Sequence, residues 1–277
     1  MISGVPRSAG NPWPLGFAFM SILLGIDVGG SGVKGAPVDL EAGEFAKPRL
    51  RIPTPAESTP SNVADVIAEI IAEFADDIGD TPVGLTIPAP VVHGRVPFIA
   101  NLHQDWAGLQ ADEFFSDRLG REITLVNDAD AAGLAEVHFG AAQGHPGLVV
   151  LTTLGTGIGS AIIYRGVLLP NSELGHLEID GYDAEKRAAS SAKDREALTY
   201  EKWATKRLQR YYSHVEMLLS PDLFVVGGGV SKDWDKFGPL LELNTEIIPA
   251  KLRNKAGIIG AALAAKDLAE HPDPLHK

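Results

Sequence analysis

Two glycine-rich segments of this 277-residue chain have the residue types of phosphate-binding loops. Residues 22–38 have the sequence ILLGIDVGGSGVKGAPV, and residues 148–164 have the sequence LVVLTTLGTGIGSAIIY. In each segment an apolar run, a glycine-rich turn and a second apolar run predict two strands joined as a hairpin. Glycine permits positive φ in a turn and lets a ligand approach the backbone N–H groups, which together can bind an anion. Two such turns in one chain predict an extended phosphate donor that is held from both sides.

A third glycine-rich loop, residues 227–232, follows another apolar run and offers further N–H groups. The alternative is that these are ordinary turns, in which glycine is common. No Walker P-loop G-x-x-x-x-G-K-[ST] occurs, and the second hairpin lacks the spacing and the following helix of a dinucleotide-binding fingerprint. The candidate donor-binding residues are Asp27, Gly29, Gly30, Ser31, Gly32, Lys34, Thr153, Gly155, Thr156, Gly157, Gly228 and Gly229.

Asp27 stands at the end of the first apolar run, beside the first glycine turn. A carboxylate next to phosphate-binding N–H groups is unfavourable unless a cation joins it. Mg²⁺ that reaches phosphate through its bound waters is the natural occupant of such a position. We therefore expect Asp27 to bind Mg²⁺ through water.

Asn127 and Asp128 directly follow a further apolar run, residues 122–126. The carboxyl ends of strands face the ligand cleft in open α/β sheets. An ionised Asp128 could there accept the proton of a substrate hydroxyl that attacks phosphorus, in a reaction that otherwise needs mainly positioning and charge stabilisation. The alternative is that Asp128 caps the following helix, although Asp130 is the better candidate for that cap.

Glu173 and His176 form a small polar group in the segment ELGH, which follows a short apolar run. A carboxylate accepts hydroxyl hydrogen bonds, and a neutral imidazole both donates and accepts, so the pair suits a polyol such as a sugar. The alternative is a surface turn with a structural histidine. Asn101 and Trp106 add an amide and a flat apolar face, which is also typical of sugar binding but is a weaker signal.

The sequence pattern places these residues on a repeated α/β plan. Strands are predicted at 22–26, 33–38, 82–87, 122–126, 167–169 and 222–226, with an extended edge segment at 44–55. Helices are predicted from a cap at Ser61 to Phe74, at 110–119, at 130–140, as a pair within 183–219, and at 256–269. Two halves that each contain a phosphate hairpin are typical of the actin-like ATPase fold, an α/β architecture with a cleft between two domains.

The same plan predicts the domain limits. Residues 1–20 are rich in glycine and proline and are expected to be a flexible extension rather than a signal peptide, with Met20 as an alternative start. A smaller N-terminal domain is expected at 21–126 and a larger C-terminal domain at 127–255. The C-terminal helix, 256–277, is expected to pack back on the first domain.

Composition excludes several classes of function. The net charge of −12 argues against a nucleic-acid-binding protein, and the absence of cysteine excludes disulfides and thiolate zinc sites. No apolar run approaches the ~20 residues of a membrane span. The sequence therefore predicts a cytoplasmic protein, monomeric or homodimeric, with no membrane or nucleic-acid partner.

Five segments together resemble the ROK family of bacterial sugar kinases and repressors, in family order along the chain. They are DVGGSGVKGAPVDL, NDADAAGLAE, LTTLGTGIGSA, ELGH and VVGGGVSK. The first and third resemble most the polyphosphate glucokinases of that family. The resemblance implies a hexokinase-like, ribonuclease H-like two-domain fold, and transfer of a phosphoryl group from polyphosphate, ATP or both to the 6-hydroxyl of glucose, with Mg²⁺. Mannose differs from glucose only at C2, so the choice between glucose alone and glucose with mannose stays open. It implies that Asp128 is the catalytic base and that Asn101, Asn127, Asp128, Glu173 and His176 contact the sugar.

The chain departs from the family pattern after ELGH. Many members have a cysteine-rich zinc loop there, which ends in a further sugar-contacting glutamate, whereas this chain has DGYDAEKRAASS at 180–191. We therefore expect no structural zinc. Either Glu178 or Glu185 could supply the last sugar contact.

Alternative functions remain to be compared with a polyphosphate-using kinase. A strictly ATP-dependent hexose or N-acylmannosamine kinase shares the same motifs. A sugar-responsive repressor of the family needs an N-terminal helix-turn-helix, for which about twenty residues before the first strand are too few. An actin-like structural protein would have no use for ELGH. Cations available to a polymeric donor are Lys34, Lys193, Arg195, Lys232, Lys251, Arg253 and Lys255.

Overall fold

Two β-sheets with the same internal plan form the framework of the computed structural model, which describes residues 21–271. The first sheet contains β1 (Ile22–Gly29), β2 (Gly32–Asp39), β3 (Glu44–Phe45), β4 (Leu50–Ile52), β5 (Val83–Ile87) and β6 (Ile123–Asn127). Its order is β3-β2-β1-β5-β6, and β4 also pairs with β2. β1 and β2 are antiparallel, whereas β1, β5 and β6 are parallel.

The second sheet repeats this arrangement. It contains β7 (Leu148–Leu154), β8 (Ile158–Tyr164), β9 (Val167–Leu169), β12 (Leu223–Gly227) and β13 (Glu246–Pro249). Two further strands, β10 (Glu178–Ile179) and β11 (Tyr182–Asp183), form a separate two-stranded ribbon. The order of the second sheet is β13-β12-β7-β8-β9, with an antiparallel β7–β8 hairpin and parallel β7, β12 and β13. Both glycine-rich segments are therefore strand–turn–strand hairpins, as their sequences predict.

Nine labelled helices cover the faces of the two sheets within residues 21–271. They are α1 (Pro60–Glu73), α2 (Ala75–Ile78), α3 (Ala111–Leu119), α4 (Asp128–Phe139), α5 (Glu185–Ala188), α6 (Ser190–Arg195), α7 (Tyr200–Trp203), α8 (Gln209–Leu219) and α9 (Ala256–Glu270). One π turn, Ala204–Leu208, joins α7 to α8. The predicted pair of helices within 183–219 is thus replaced by several shorter pieces.

The first helix begins earlier than its sequence pattern suggests. Ser61 is not the cap; Thr59 is, and its hydroxyl accepts the Asn62 N–H at 3.2 Å. Pro60 occupies the first helical position, where a missing N–H has no consequence and a fixed φ suits the helix. The predicted buried face is present, because Val63, Ile67 and Ile70 are fully buried.

The described residues form five layers, in which three layers of helices alternate with the two sheets, and three apolar cores hold these layers together. α1 and α3 pack on the outer face of the first sheet, and α5 to α8 pack on the outer face of the second. Between the sheets, α9 lies against β1, β5 and β6, α4 lies against β7 and β8, and the two helices contact each other. The end of α4 where Asp128 lies is thereby held between the two halves of the chain.

Close contact between α9 and the first sheet depends on two neighbouring glycines. Gly25 of β1 and Gly84 of β5 are register partners. A Cβ at either position would overlap a backbone carbonyl oxygen of α9, that of Ile258 or of Ala261. A side chain there would force the helix away from the sheet and away from the strand ends that it covers.

The C-terminal helix contacts the first sheet in the manner that the sequence predicts. The limits of the two predicted domains, 21–126 and 127–255, stay predictions, and residues 1–20 and 272–277 lie outside the described residues. No helix among the described residues has the length and apolar character needed to cross a membrane.

Candidate active site

A cavity of about 180 Å³ opens between the two sheets, where the glycine hairpins and the start of α4 meet. Both halves of the chain line it. The lining residues that could contact a ligand through polar groups are Asp27, Lys34, Asp128, Thr153, Gly227, Gly228, Arg253 and Asn254. The cavity thus brings together residues from five separate segments of the sequence.

A row of polar side chains crosses the first sheet beside the first glycine turn. Arg51, Lys34, Asp27 and Thr86 are successive register partners on β4, β2, β1 and β5. The Lys34 ammonium donates to one Asp27 oxygen at 3.0 Å, and the Thr86 hydroxyl donates to the other at 3.1 Å. Asp27 is therefore an ionic partner of Lys34 in addition to its predicted role toward Mg²⁺.

Arg51 and Thr54 hold the first turn from the side and were not among the predicted site residues. The Arg51 guanidinium donates to the Ser31 carbonyl at 2.8 Å, and the Thr54 hydroxyl donates to the Gly29 carbonyl at 2.5 Å. These two bonds fix the backbone of the turn through its carbonyl groups. Only the pairing of β4 with β2 brings Arg51 here, so no local sequence signal indicated it.

The second turn is held by the helices that follow it. Ser191 of α6 donates its N–H to the Gly155 carbonyl at 3.0 Å and its hydroxyl to the Thr156 carbonyl at 2.5 Å. A Cβ at Gly155 would meet nothing within 4 Å, so open space lies above this residue. The turn therefore offers its exposed face to a ligand.

The two hairpin turns do not use the positive φ that glycine permits. Positive φ occurs neither at glycines 29–32 nor at glycines 155–159, whereas Gly228 has φ of 82°. At Gly228 a Cβ would also overlap backbone atoms of Leu154. In the hairpin turns, glycine leaves space for a ligand. In the third loop, Gly228 also allows a positive φ that other residues disfavour.

Asn127 caps α4, which therefore begins at Asp128 and not at 130. Its side-chain oxygen accepts the N–H groups of Ala129 at 2.9 Å and Asp130 at 3.2 Å, and its amide donates to the Ala89 carbonyl at 3.1 Å. The expectation that Asp130 caps the helix is wrong, because an N-cap accepts N–H groups ahead of it and Asp130 already lies inside the first turn. One amide hydrogen of Asn127 remains for a ligand.

Asp128 faces the cavity from the first position of α4. One carboxylate oxygen accepts the Ala129 N–H at 2.8 Å. Burial, and after it the charge of Asp27, raises the pKa of Asp128 to about 6. A general base is most effective when its pKa lies near the working pH, so this environment suits proton abstraction from a hydroxyl.

Asp130 lies deeper and has no opening to the cavity. One oxygen accepts the Asn171 N–H at 2.7 Å, and the other is buried without a partner among the described residues. Burial raises the pKa of Asp130 to about 7, although the bond from Asn171 lowers it. Asn171 also exchanges two hydrogen bonds with the Val91 backbone, at 2.7 and 2.8 Å, and so ties the loop after β5 to the loop after β9.

Glu173 and His176 lie close enough to influence each other's protonation. Burial raises the pKa of Glu173, and the His176 charge opposes that shift. The distance from His176 Nδ1 to an Asp183 carboxylate oxygen is 3.0 Å, and this hydrogen bond raises the pKa of the imidazole. The charge of Glu173 also raises the pKa of Asp128, after burial and the charge of Asp27.

Glu185, rather than Glu178, lies beside these residues. Its carboxylate accepts the Ile158 N–H at 3.2 Å, next to the second glycine turn, and its charge raises the pKa of both Glu173 and His176. Glu178 is exposed on the β10–β11 ribbon. The ligand atoms of His176, Asp183 and Glu185 lie within 4.8 Å of one another, and the expected lack of a structural zinc stays a prediction.

Asn101 and Trp106 separate in the structure. Asn101 is exposed, and its carbonyl oxygen would be 3.4 Å from a Cβ at Gly30 of the first turn. Trp106 is fully buried, stacks on Phe115 with 5.2 Å between ring centroids, and donates its indole N–H to the Ser58 carbonyl. Trp106 therefore belongs to the core and offers no flat face to a sugar.

Comparison with known proteins decides the family. Residues 23–190 match the model of the ROK family. The chain belongs to the ROK family. It is 50% identical to the polyphosphate glucokinase of Mycobacterium tuberculosis over 243 residues, and this alignment covers 87% of this chain and 90% of that protein. It is 47% identical to the polyphosphate glucokinase of Mycobacterium leprae, over 87% of this chain and 74% of that protein.

Solved structures of ROK proteins have the same architecture. The inorganic polyphosphate/ATP-glucomannokinase of Arthrobacter sp. strain KM superposes with a TM-score of 0.84 at 49% identity, over 89% of this chain and 98% of that one. The ROK hexokinase of Thermus thermophilus superposes with a TM-score of 0.72 at 24% identity, over 88% and 98%, and supports the fold alone. The predicted α/β actin-like ATPase fold is confirmed.

The buried Asp130 should make the stability of the protein depend on pH. Its carboxyl has a pKa of about 7 in the folded chain and near 3.8 when exposed, so the folded state binds a proton that the unfolded state releases. The free energy of unfolding should therefore fall as pH rises from about 4 to about 7. In Asp130→Asn this fall should be smaller, because the amide oxygen still accepts the Asn171 N–H and nothing ionises.

Urea unfolding of both proteins at a series of pH values measures this difference. Asp128 and Glu173 add a dependence of the same sign to both, so the comparison isolates Asp130. Parallel curves for the two proteins would contradict the assignment.

Proposed function

We propose that the protein transfers a phosphoryl group from inorganic polyphosphate, ATP or both to the 6-hydroxyl of glucose, and also of mannose. The observation that supports this most directly is the position of Asp128. A carboxyl group of raised pKa faces a cavity that two glycine hairpins border from opposite sides. The names of the relatives, polyphosphate glucokinase and polyphosphate/ATP-glucomannokinase, agree with this chemistry.

In the proposed reaction Asp128 accepts the proton of the sugar hydroxyl. The hydroxyl oxygen then attacks the terminal phosphorus of the donor, and the bond from phosphorus to the donor's bridging oxygen breaks. Catalysis of phosphoryl transfer depends mainly on positioning the reactants and on stabilising charge, and it needs no covalent intermediate with the protein. A base at the hydroxyl and fixed N–H groups at the phosphates supply these two effects.

The donor phosphates are proposed to lie along the glycine-rich loops. The first turn offers Gly29 to Gly32 with Lys34; the second offers Thr153 and Gly155 to Gly157, and the third offers Gly228 and Gly229. Asp27 fits Mg²⁺ through water, because it is a hard oxygen ligand at the cavity wall and each of its oxygens has a further lone pair. When bound, the ion neutralises charge on the phosphates.

The sugar is proposed to lie on the other side of Asp128. Glu173 and His176 supply acceptors and a donor, and Asn101 and the free amide hydrogen of Asn127 supply further polar contacts. Glu185 is the added candidate, since it joins this group to the second glycine turn. Such a connection would let the sugar site and the donor site adopt their positions together.

Replacement of the base tests the mechanism. Asp128→Asn should lower kcat by at least about 10²-fold, because no group accepts the hydroxyl proton. The melting temperature should change little, since the amide oxygen can still accept the Ala129 N–H. In the wild type kcat should fall as pH decreases through about 6, where Asp128 becomes protonated, and the variant should lack this inflection.

Asp76→Asn is the matched control, because it removes an exposed carboxylate on α2 that does not line the cavity. Its turnover and pH profile should equal those of the wild type. More than a tenth of wild-type turnover in Asp128→Asn would remove Asp128 from the role of base.

The role of the second turn is tested at Gly155 rather than at Gly157. A Cβ at Gly157 would overlap the Glu185 carboxylate and so disturb the sugar side, whereas Gly155 has open space above it. Gly155→Val should therefore leave the fold and glucose binding unchanged and raise the KM of the phosphoryl donor. A variant that loses glucose affinity but keeps its donor KM would show that the turn is misassigned.

The function itself is tested by initial rates with glucose, mannose and N-acetylmannosamine, each with polyphosphate and with ATP. We expect glucose 6-phosphate from both donors and mannose as a second acceptor. Nucleotide-free enzyme that forms no product from polyphosphate at any salt concentration would identify a strictly ATP-dependent kinase instead.

A further inference from the structure

Of three neighbouring cations near the start of α9, one lines the cavity. Lys255 forms an ion pair with Glu44 and lies 5.8 Å from the centre of the Phe45 ring. Lys251 is exposed and is not among the residues that line the cavity. Arg253 lines it, together with Asn254. The three residues are therefore not equivalent toward a ligand in the cleft.

The Arg253 side chain has no hydrogen bond or ion pair with any residue in the described part of the chain, 21–271. Lys34, the other cation that lines the cavity, is already paired with Asp27. Arg253 is thus a positive charge at the cavity wall with which no carboxylate among residues 21–271 forms an ion pair. A guanidinium presents several N–H donors in one plane, which suits two oxygens of a phosphate.

The backbone places Arg253 there at a cost. Its φ is 52°, in the left-handed region that a side chain disfavours. The preceding loop is held by the buried carboxylate of Glu136, which accepts the N–H groups of Lys251 at 3.1 Å and Leu252 at 2.7 Å. Because Glu136 belongs to α4, the helix that presents Asp128 also fixes the position of Arg253.

Arg253 lies one helical turn before Gly257, whose Cβ position is 3.7 Å from the Asp27 carboxylate carbon. Arg253 and Gly257 both line the cavity, so the guanidinium and the Asp27 carboxylate border the same space. We infer that Arg253 binds a phosphate of the donor beyond the third from the transferred end, and that this contact favours linear polyphosphate over ATP, which has only three phosphates. After its third phosphate ATP continues with ribose and adenine, whereas polyphosphate continues with further phosphates. The inference rests on the proposed function.

Two variants of the same loop test it. Arg253→Asn removes the guanidinium and introduces a residue that tolerates positive φ, whereas Lys251→Asn removes a charge that does not line the cavity. In Arg253→Asn the KM for polyphosphate should rise about tenfold and the KM for ATP less than about twofold, since one charge-assisted contact is lost. Lys251→Asn should leave both constants near their wild-type values.

Calorimetric titration with polyphosphate, without glucose, gives a second readout that does not depend on turnover. The Kd should rise by a similar factor in Arg253→Asn, and its dependence on salt should become shallower, because fewer screened contacts remain. Arg253→Lys, which keeps the charge and loses the planar fork, should lie between the wild type and Arg253→Asn.

The outcomes separate the inference from the proposed function. Equal effects on both donors, no effect on either, or the same effect in Lys251→Asn would overturn the role of Arg253 and leave the kinase activity in place. A wild-type enzyme that uses ATP but neither binds nor uses polyphosphate would overturn the polyphosphate part of the proposed function, and this inference with it.

Discussion

The capping of α4 by Asn127 is the interaction on which the arrangement of the cleft depends. The cap places Asp128 at the first helical position, directly after the last strand of the first sheet. From there α4 packs against α9 and the second sheet, so any shift of its first turn would move Asp128 relative to both hairpins. The bond from Asn127 to the Ala89 carbonyl ties the same point to the loop after β5. Loss of an N-cap commonly costs about 1 kcal/mol, but here it would also displace the proposed base.

Three acids along α4 have three different environments, and each environment fits a different task. Asp128 faces the cavity, Asp130 is buried against the Asn171 N–H, and Glu136 is buried among backbone N–H groups. Burial disfavours an ionised carboxylate unless donors compensate for the lost water. Glu136 receives three such donors, from Ala141, Lys251 and Leu252, whereas one oxygen of Asp130 receives none. The fold thus keeps one poorly compensated acid next to the site.

With a net charge of −12, the chain has to bind the proposed phosphate donor against its overall field. The structure meets this requirement locally. Lys34 and Arg51 lie side by side at the first turn, Arg253 lines the cavity, and the N–H groups of the glycine loops add partial positive charge. Ionic attraction of this kind falls off within about 10 Å at moderate salt, so nearby groups outweigh the distant acidic surface.

Local sequence determined the two hairpins, the strand that ends at Asn127, and the position of Asp128 directly after that strand. These features depend on periodicity and on glycine over a few consecutive residues, which a single segment contains in full. The resemblance of five such segments to ROK proteins then indicated the family and the fold. The cap of α4 was assigned to the wrong residue, because Asn127 and Asp130 are both good caps and only the backbone geometry distinguishes them.

Tertiary structure alone decided which of several suitable residues reach the cleft. Glu185 rather than Glu178 lies beside His176, Arg253 rather than Lys251 or Lys255 lines the cavity, and Trp106 lies in the core. Each choice depends on contacts between segments that are far apart in the chain, such as the bonds from Glu136 to residues 251 and 252. Residue type states what a side chain can bind, but its partners and its access to the ligand are set by packing across the whole fold.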